Sequence, residues 1–239
     1  MKKIIAMLLV ICTLTVCLAG CGTNDVRGEI STDETNETVT EENNDAEENT
    51  ETENTDAAND EEPLTLGTSS GSKYENTYFG IGCELEGWTF KTDDEIAETN
   101  GFARDLMDED LAKQLETAAI ITDMMATSAD SYQNVNVTIE NLSLIQTVAL
   151  DEQAYAEASM EGSKAALESM GLENVETTIV EAKIGNETHP AVRITSEVQG
   201  VGQYQLGVIV KKGVHVAVIT ATTVMTDETE SVINSFYTI

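Results

Sequence analysis

From Asn134 to Leu142 the chain alternates, with Val135, Val137 and Ile139 apolar and Asn134, Asn136, Thr138 and Glu140 polar. Period two predicts a strand with one face turned inward. Residues 119–127, with Ile120, Ile121, Met124 and Met125, predict a second apolar strand just before it. Four further strands, roughly 174–184, 188–198, 203–211 and 213–223, are separated by Gly185-Asn186, Gly200-Val201-Gly202 and Lys212-Gly213, turn signals that join antiparallel neighbours. A meander is the simplest path through them. One buried face is expected from Val192, Ile194 and Val198, then Tyr204, Leu206, Val208 and Val210, then Val214, Val216 and Val218. Nearer the N-terminus, Tyr78 to Leu85 and Gly87 to Phe90 read as a hairpin turning at Glu86-Gly87.

The helical period appears between these runs. Asp93-Asp94-Glu95 places a capping side chain and acids at the start of a short helix ending near Gly101. A second helix is predicted over Arg104 to Ala118, with Leu106, Met107, Leu111 and Leu115 on one stripe. Asp151 caps the longest helix, which runs to about Met170 and stops at Gly171. Its expected inner stripe of Ala154, Tyr155, Ala158, Gly162, Ala165, Ala166 and Ser169 is mostly small, which lets it lie close to a sheet. Asp227-Glu228 opens a last helix through Ser231, Val232, Ile233 and Phe236. The fold class expected is α/β of the α+β kind, an antiparallel sheet flanked by helices.

Before residue 73 the pattern is different. Lys2 and Lys3 precede an apolar run from Ile4 to Val16 that is too short for a mature membrane helix, and small residues Ala19-Gly20 follow. Residues 1–20 are therefore expected to be an export signal. Leu18-Ala19-Gly20-Cys21 resembles the bacterial lipobox. The resemblance implies cleavage between Gly20 and Cys21 and diacylation of the Cys21 thiol, which anchors the chain to a membrane. Residues 21–72 are expected to be that lipidated cysteine and an acidic tether. From Gly22 to Ser72 there are sixteen Asp or Glu against one Arg, with too little apolar surface to offset chain entropy. A random coil of this length spans about 40 Å, and like charges extend it. The tether ends in the Gly/Ser joint of residues 67–72, and the folded domain is expected over 73–239.

Tyr74-Glu75-Asn76-Thr77-Tyr78-Phe79-Gly80-Ile81-Gly82-Cys83, Gly87-Trp88-Thr89-Phe90 and Asp93-Asp94-Glu95-Ile96 resemble the opening of PsbP-like domains of lipoproteins from low-GC Gram-positive bacteria. The strand Asn134 to Leu142 fits as well. The resemblance covers about residues 74–239 and implies a PsbP-like α/β sandwich. Glu84-Leu85-Glu86-Gly87-Trp88 lacks the proline such openings often carry. Members of that family are mostly non-catalytic binding or assembly proteins, and no family catalytic motif is carried over.

Charge narrows the partners. The chain carries a net charge of −32, and an anionic field repels nucleic-acid phosphate and acidic lipid headgroups. No nucleic-acid partner is expected. With Cys12 and Cys17 in the signal and Cys21 lipidated, Cys83 is alone, so no internal disulfide is expected and a core thiol is the simplest reading. Hydrolysis needs a nucleophile and a base, and the bases available are His189, beside Pro190, and His215, which is expected to face away from the apolar side near Arg193 or Lys211. Neither neighbourhood predicts a catalytic residue, and no cofactor is expected.

Three other patterns read as structural. Ser70-Gly71-Ser72-Lys73 has Ser-x-x-Lys spacing without its companion elements, and Gly80-Ile81-Gly82 lacks the rest of a dinucleotide loop. The acidic groups Asp93-Asp94-Glu95 and Asp108-Glu109-Asp110 lack calcium-loop spacing, so no metal site is expected. Tyr74, Tyr78, Phe79, Trp88, Phe90 and Phe102 gather near the first hairpin as a core-closing cluster, or, among them, Tyr78, Phe79, Trp88 and Phe90 as a binding surface. The function expected is a non-catalytic module on the outer face of the cytoplasmic membrane that presents its domain to an envelope protein. A small-ligand or cation sensor is the alternative, and a hydrolytic enzyme comes third.

Overall fold

In the computed structural model the described residues are 62–101, 115, 117–143 and 149–239. The expected signal, Cys21 and the expected tether as far as residue 61 lie outside them. So do Phe102, Asp108, Glu109, Asp110 and most of the helix expected over 104–118, of which Leu115 and Thr117 are described and helical.

Eleven strands and three helices are described. Four strands form a small antiparallel sheet in the order β1 (Thr68–Ser70), β2 (Lys73–Asn76), β3 (Ile81–Glu84) and β11 (Phe236–Thr238). Seven form a larger sheet in the order β4 (Thr89–Phe90), β5 (Ile120–Thr127), β6 (Gln133–Asn141), β10 (His215–Val224), β9 (Val201–Lys212), β8 (Glu187–Val198) and β7 (Glu173–Ile184). The helices are α1 (Asp93–Asn100), α2 (Glu152–Ser169) and α3 (Thr229–Ile233). The architecture is an α/β sandwich built on antiparallel sheets; the alternation predicts the antiparallel strands with flanking helices, and there are two sheets where one is expected.

The larger sheet is buried on both faces, not one. In the β8–β9 register Val192 lies opposite Gly207 and Ile194 opposite Gln205, and in β9–β10 Val208 lies opposite Ile219. Opposed residues share a face, so the expected single face divides by parity. Val192, Ile194, Ile209, Val216 and Val218 meet Tyr155, Ala156 and Leu167 of α2. Leu206, Val208, Ala217, Ile219 and Ala221 meet Tyr74, Ile81, Cys83 and Phe236 of the small sheet and Val232 and Ile233 of α3. Neither sheet could bury that much aliphatic surface alone.

Four local expectations change. Residues 67–72 are a hairpin, β1 turning into β2 through Gly71 at φ 64°. β3 and β4 belong to different sheets, because the turn at Gly87 (φ 77°) carries the chain from one layer to the other. The buried side of α2 is Tyr155, Ala156, Ser159, Ser163 and Leu167; the large Tyr155 and Leu167 set its rotation, leaving Ala158, Gly162 and Ala165 outside. The last helix stops at Ile233, and Phe236 belongs to β11 on β3.

Asp123 fastens the N-terminal hairpin to the larger sheet. It sits 1% exposed at an irregularity of β5 and accepts from Gly67 N (2.9 and 3.0 Å), Tyr74 Oη (2.6 Å) and Asn76 Nδ2 (2.8 Å). Burial, then the carboxylate beside it, pushes the Tyr74 hydroxyl well above its usual pKa. The approach needs Gly67, since a Cβ there would lie 2.4 Å from the Tyr74 ring. Leu64 and Leu66 pack on the same core, so the folded part starts several residues before Lys73.

Candidate functional site

One group of chemistry-bearing side chains meets where α2 begins. Asp151 caps the helix by accepting from Ala154 N at 2.8 Å, which brings Glu152 of the first turn against the sheet. Pro190 of β8 has no N–H for a ladder, and the β8–β9 pairing runs from Ala191 onward. Beyond that point Lys211 N–H of β9 donates to Glu152 Oε1 at 2.8 Å. His189, 8% exposed, turns Nδ1 to the same carboxylate at 3.2 and 3.3 Å. Its Nε2 stands 3.7 Å from Glu187 Oε2. An ionised carboxylate only accepts, so Nδ1 carries the proton. The hydrogen bond to Glu152 raises the His189 pKa against the opposing effect of burial.

A cleft of about 340 Å³ opens here, lined by Asp151, Glu152, Gln153, Glu181, Thr188, His189 and Pro190. Its charged lining is mostly carboxylate, which suits a cationic or donor-rich group. The imidazole has a carboxylate toward each nitrogen, and the hydrogen bond to Glu152 favours its protonated form.

His215 is placed differently from expectation. It lies on the face of Ala217 and Ile219, and its Nδ1 is 2.9 Å from Tyr78 Oη. Lys212 closes over that ring, 4.7 Å from the ring centre, and its Nζ donates to Tyr78 O at 2.7 Å and to Glu62 at 2.9 Å. Arg193 pairs with Asp227 at 3.0 Å and with Glu230, away from His215. Cys83 is fully buried, and burial pushes its thiol up to about 12.

The aromatic surface is drawn inward. Tyr78 and Phe79 are buried and meet edge to face at 5.0 Å; Trp88 and Phe90 are half-buried against the same cluster. Asp93 to Glu95 also have a local explanation. The cap of α1 is Thr92, whose Oγ1 accepts from Glu95 N while Glu95 accepts from Thr92 N at 2.9 Å, a capping box. Among the described residues no group of three or more His, Cys, Asp or Glu is placed to hold a metal ion, and no helix is long and apolar enough to cross a membrane.

A third feature is the polar side of β6. Register puts Asn134 opposite Thr222, Asn136 opposite Thr220 and Thr138 opposite Val218, so this side faces the α2 layer. All three β6 residues are buried. Asn134 Oδ1, Asn136 Oδ1, Thr138 Oγ1, Thr222 Oγ1 and the Gln203 amide are enclosed without a hydrogen-bond partner. A cavity of about 20 Å³ lies beside them, lined by Tyr155, Ser159, Ser163, Gln205, Gly207 and Thr220 among others. That is room for a water molecule.

Glu152 and Asp123 are the residues sequence reasoning misses. Glu152 is 37 residues from His189, and helix-start acids are too common to single it out. Asp123 had a usable signal, a lone carboxylate within Ile120-Ile121-Thr122-Asp123-Met124-Met125. No family model matches the chain, and no curated protein matches it significantly.

Proposed function

We propose that this chain is a lipid-anchored, extracytoplasmic, non-catalytic binding module. Cys21 holds it to the outer face of the cytoplasmic membrane, the acidic segment spaces it outward, and the α/β sandwich, PsbP-like in its opening, engages an envelope protein. The observation that carries the non-catalytic reading is the commitment of the groups from which a nucleophile–base pair would be drawn. His189 is held between Glu152 and Glu187, His215 rests on Tyr78, and the Cys83 thiol is buried with a pKa near 12. A thiolate nucleophile needs the opposite shift. The acidic charge supports a protein partner over nucleic acid.

The anchor is tested by growing cells with an alkyne fatty acid and fractionating them. Label and membrane association are expected on the wild type and lost from Cys21→Ser. An unlabelled, freely released wild type overturns the anchored reading.

The cleft at His189 favours a second reading, a sensor of a small cationic ligand. A ligand at about a hundred times its dissociation constant adds roughly 2.7 kcal/mol to folding stability. A thermal-shift panel of metal ions, sugars and cationic peptides therefore separates the two. A shift with a small molecule that disappears in Glu152→Gln supports the sensor; a panel without shifts removes it.

A further inference from the structure

The larger sheet ends on an edge with which no described strand pairs. β7 is the terminal strand, 12 residues long and about 40 Å from end to end, whereas the opposite edge, β4, has 2 residues. Exposed edges of this length are templates for another strand. Pro190 lies opposite Glu181 in the β7–β8 register and has no N–H, so that pair exchanges no hydrogen bonds. By alternation Thr177, Ile179, Glu181 and Lys183 turn their backbone N–H and C=O groups away from β8. The edge therefore offers an ordered row of donors and acceptors.

Its charge selects what pairs with it. β7 carries exposed Glu173, Glu176 and Glu181 against Lys183, and Glu181 also lines the 340 Å³ carboxylate cleft. We propose that β7 is the docking surface, and that it takes an extended, lysine- or arginine-bearing segment of the partner protein as an added strand, one cationic side chain entering the cleft. This rests on the binding-module reading and names its face and its partner's chemistry. A second copy is the wrong occupant, because pairing two β7 edges would bring together two chains that each carry a net charge of −32, and like charge opposes that association.

The test is amide hydrogen exchange on the full chain in detergent, with and without a short synthetic peptide alternating lysine and valine. Exchange at Thr177, Ile179 and Glu181 is expected to slow roughly tenfold or more with the peptide, and added salt is expected to reverse the effect. Ile179→Pro removes an outward N–H without touching the β8 ladder and is expected to abolish the protection. Should that variant misfold, Glu176→Lys with Glu181→Lys serves instead, with the same loss. Three results overturn the proposal: no protection with the peptide, equal protection from a glutamate–valine peptide, or peptide-free protection that grows with protein concentration. If crosslinking in cells captures an envelope partner that Ile179→Pro still binds, only the β7 assignment fails; if no partner is captured, the binding-module reading fails with it.

Discussion

Thr222 and Thr223 are neighbours on β10, 0% and 1% exposed, and the same substitution should move stability in opposite directions at the two positions. Thr222 faces the α2 layer between Asn134 and Gln205 on the adjoining strands, and its hydroxyl has no partner. Enclosing an unsatisfied hydroxyl costs about 1–3 kcal/mol. Thr222→Val keeps the β-branched shape and replaces that hydroxyl with a methyl, so the variant should gain about 1–2 kcal/mol. Thr223 faces the other layer, donates to Thr226 O at 2.8 Å and accepts from Glu228 N at 3.3 Å. Thr223→Val removes both bonds and should lose about 1–2 kcal/mol. With a urea m-value of about 2 kcal/mol/M, the midpoints move by roughly 0.5–1 M, upward for the first and downward for the second, at unchanged m. Equilibrium urea unfolding followed by Trp88 fluorescence measures both. A Thr222→Val variant that loses 1 kcal/mol or more refutes the reasoning, because its hydroxyl then has a partner worth more than its desolvation.

Asp123→Ala removes the acceptor shared by three buried groups, of which Asn76 also donates to Thr65 O at 3.4 Å, and should cost about 3–5 kcal/mol; unfolding measures the loss, and a change under about 1 kcal/mol contradicts the clamp. His189 titrates above its ordinary 6.5 in the folded chain, so its contribution is complete below about pH 6.5 and is lost as pH rises through the raised pKa. His189→Gln should flatten that part of the stability–pH curve, and an unchanged slope counts against the Glu152 contact. The Cys83 thiol should resist alkylation at pH 8 in the native state and react within minutes in denaturant; equal rates in both states would place it at the surface.

Periodicity makes the sheet legible from the sequence, because alternation reports strands wherever at least one face is buried. It cannot report how many faces are buried. Val192 and Val208 have the same alternation, yet register sends one to α2 and the other to the small sheet. The β3–β4 separation is invisible for a related reason, since Gly87 serves a hairpin turn and a crossing between layers equally well. In α2 the many alanines leave the helix phase ambiguous until Tyr155 and Leu167 are seen to dock. The cleft depends on Glu152 meeting His189 across α2 and β8, a contact between residues that no local spacing relates. Pro190 is its one readable sign, because a proline within a strand must open the ladder on one side. The buried stripe from Asn134 to Thr138 reads as a solvated face by polarity alone, and only the α2 layer above this side of the sheet makes it otherwise.

The most direct test of a membrane-tethered binding module is crosslinking in intact cells through a tag on the folded domain, with the retained proteins quantified by mass spectrometry. The account predicts one envelope protein recovered in near-equal amount with the wild type. Recovery of nothing specific, together with turnover of a defined substrate that disappears in His189→Gln, would contradict it.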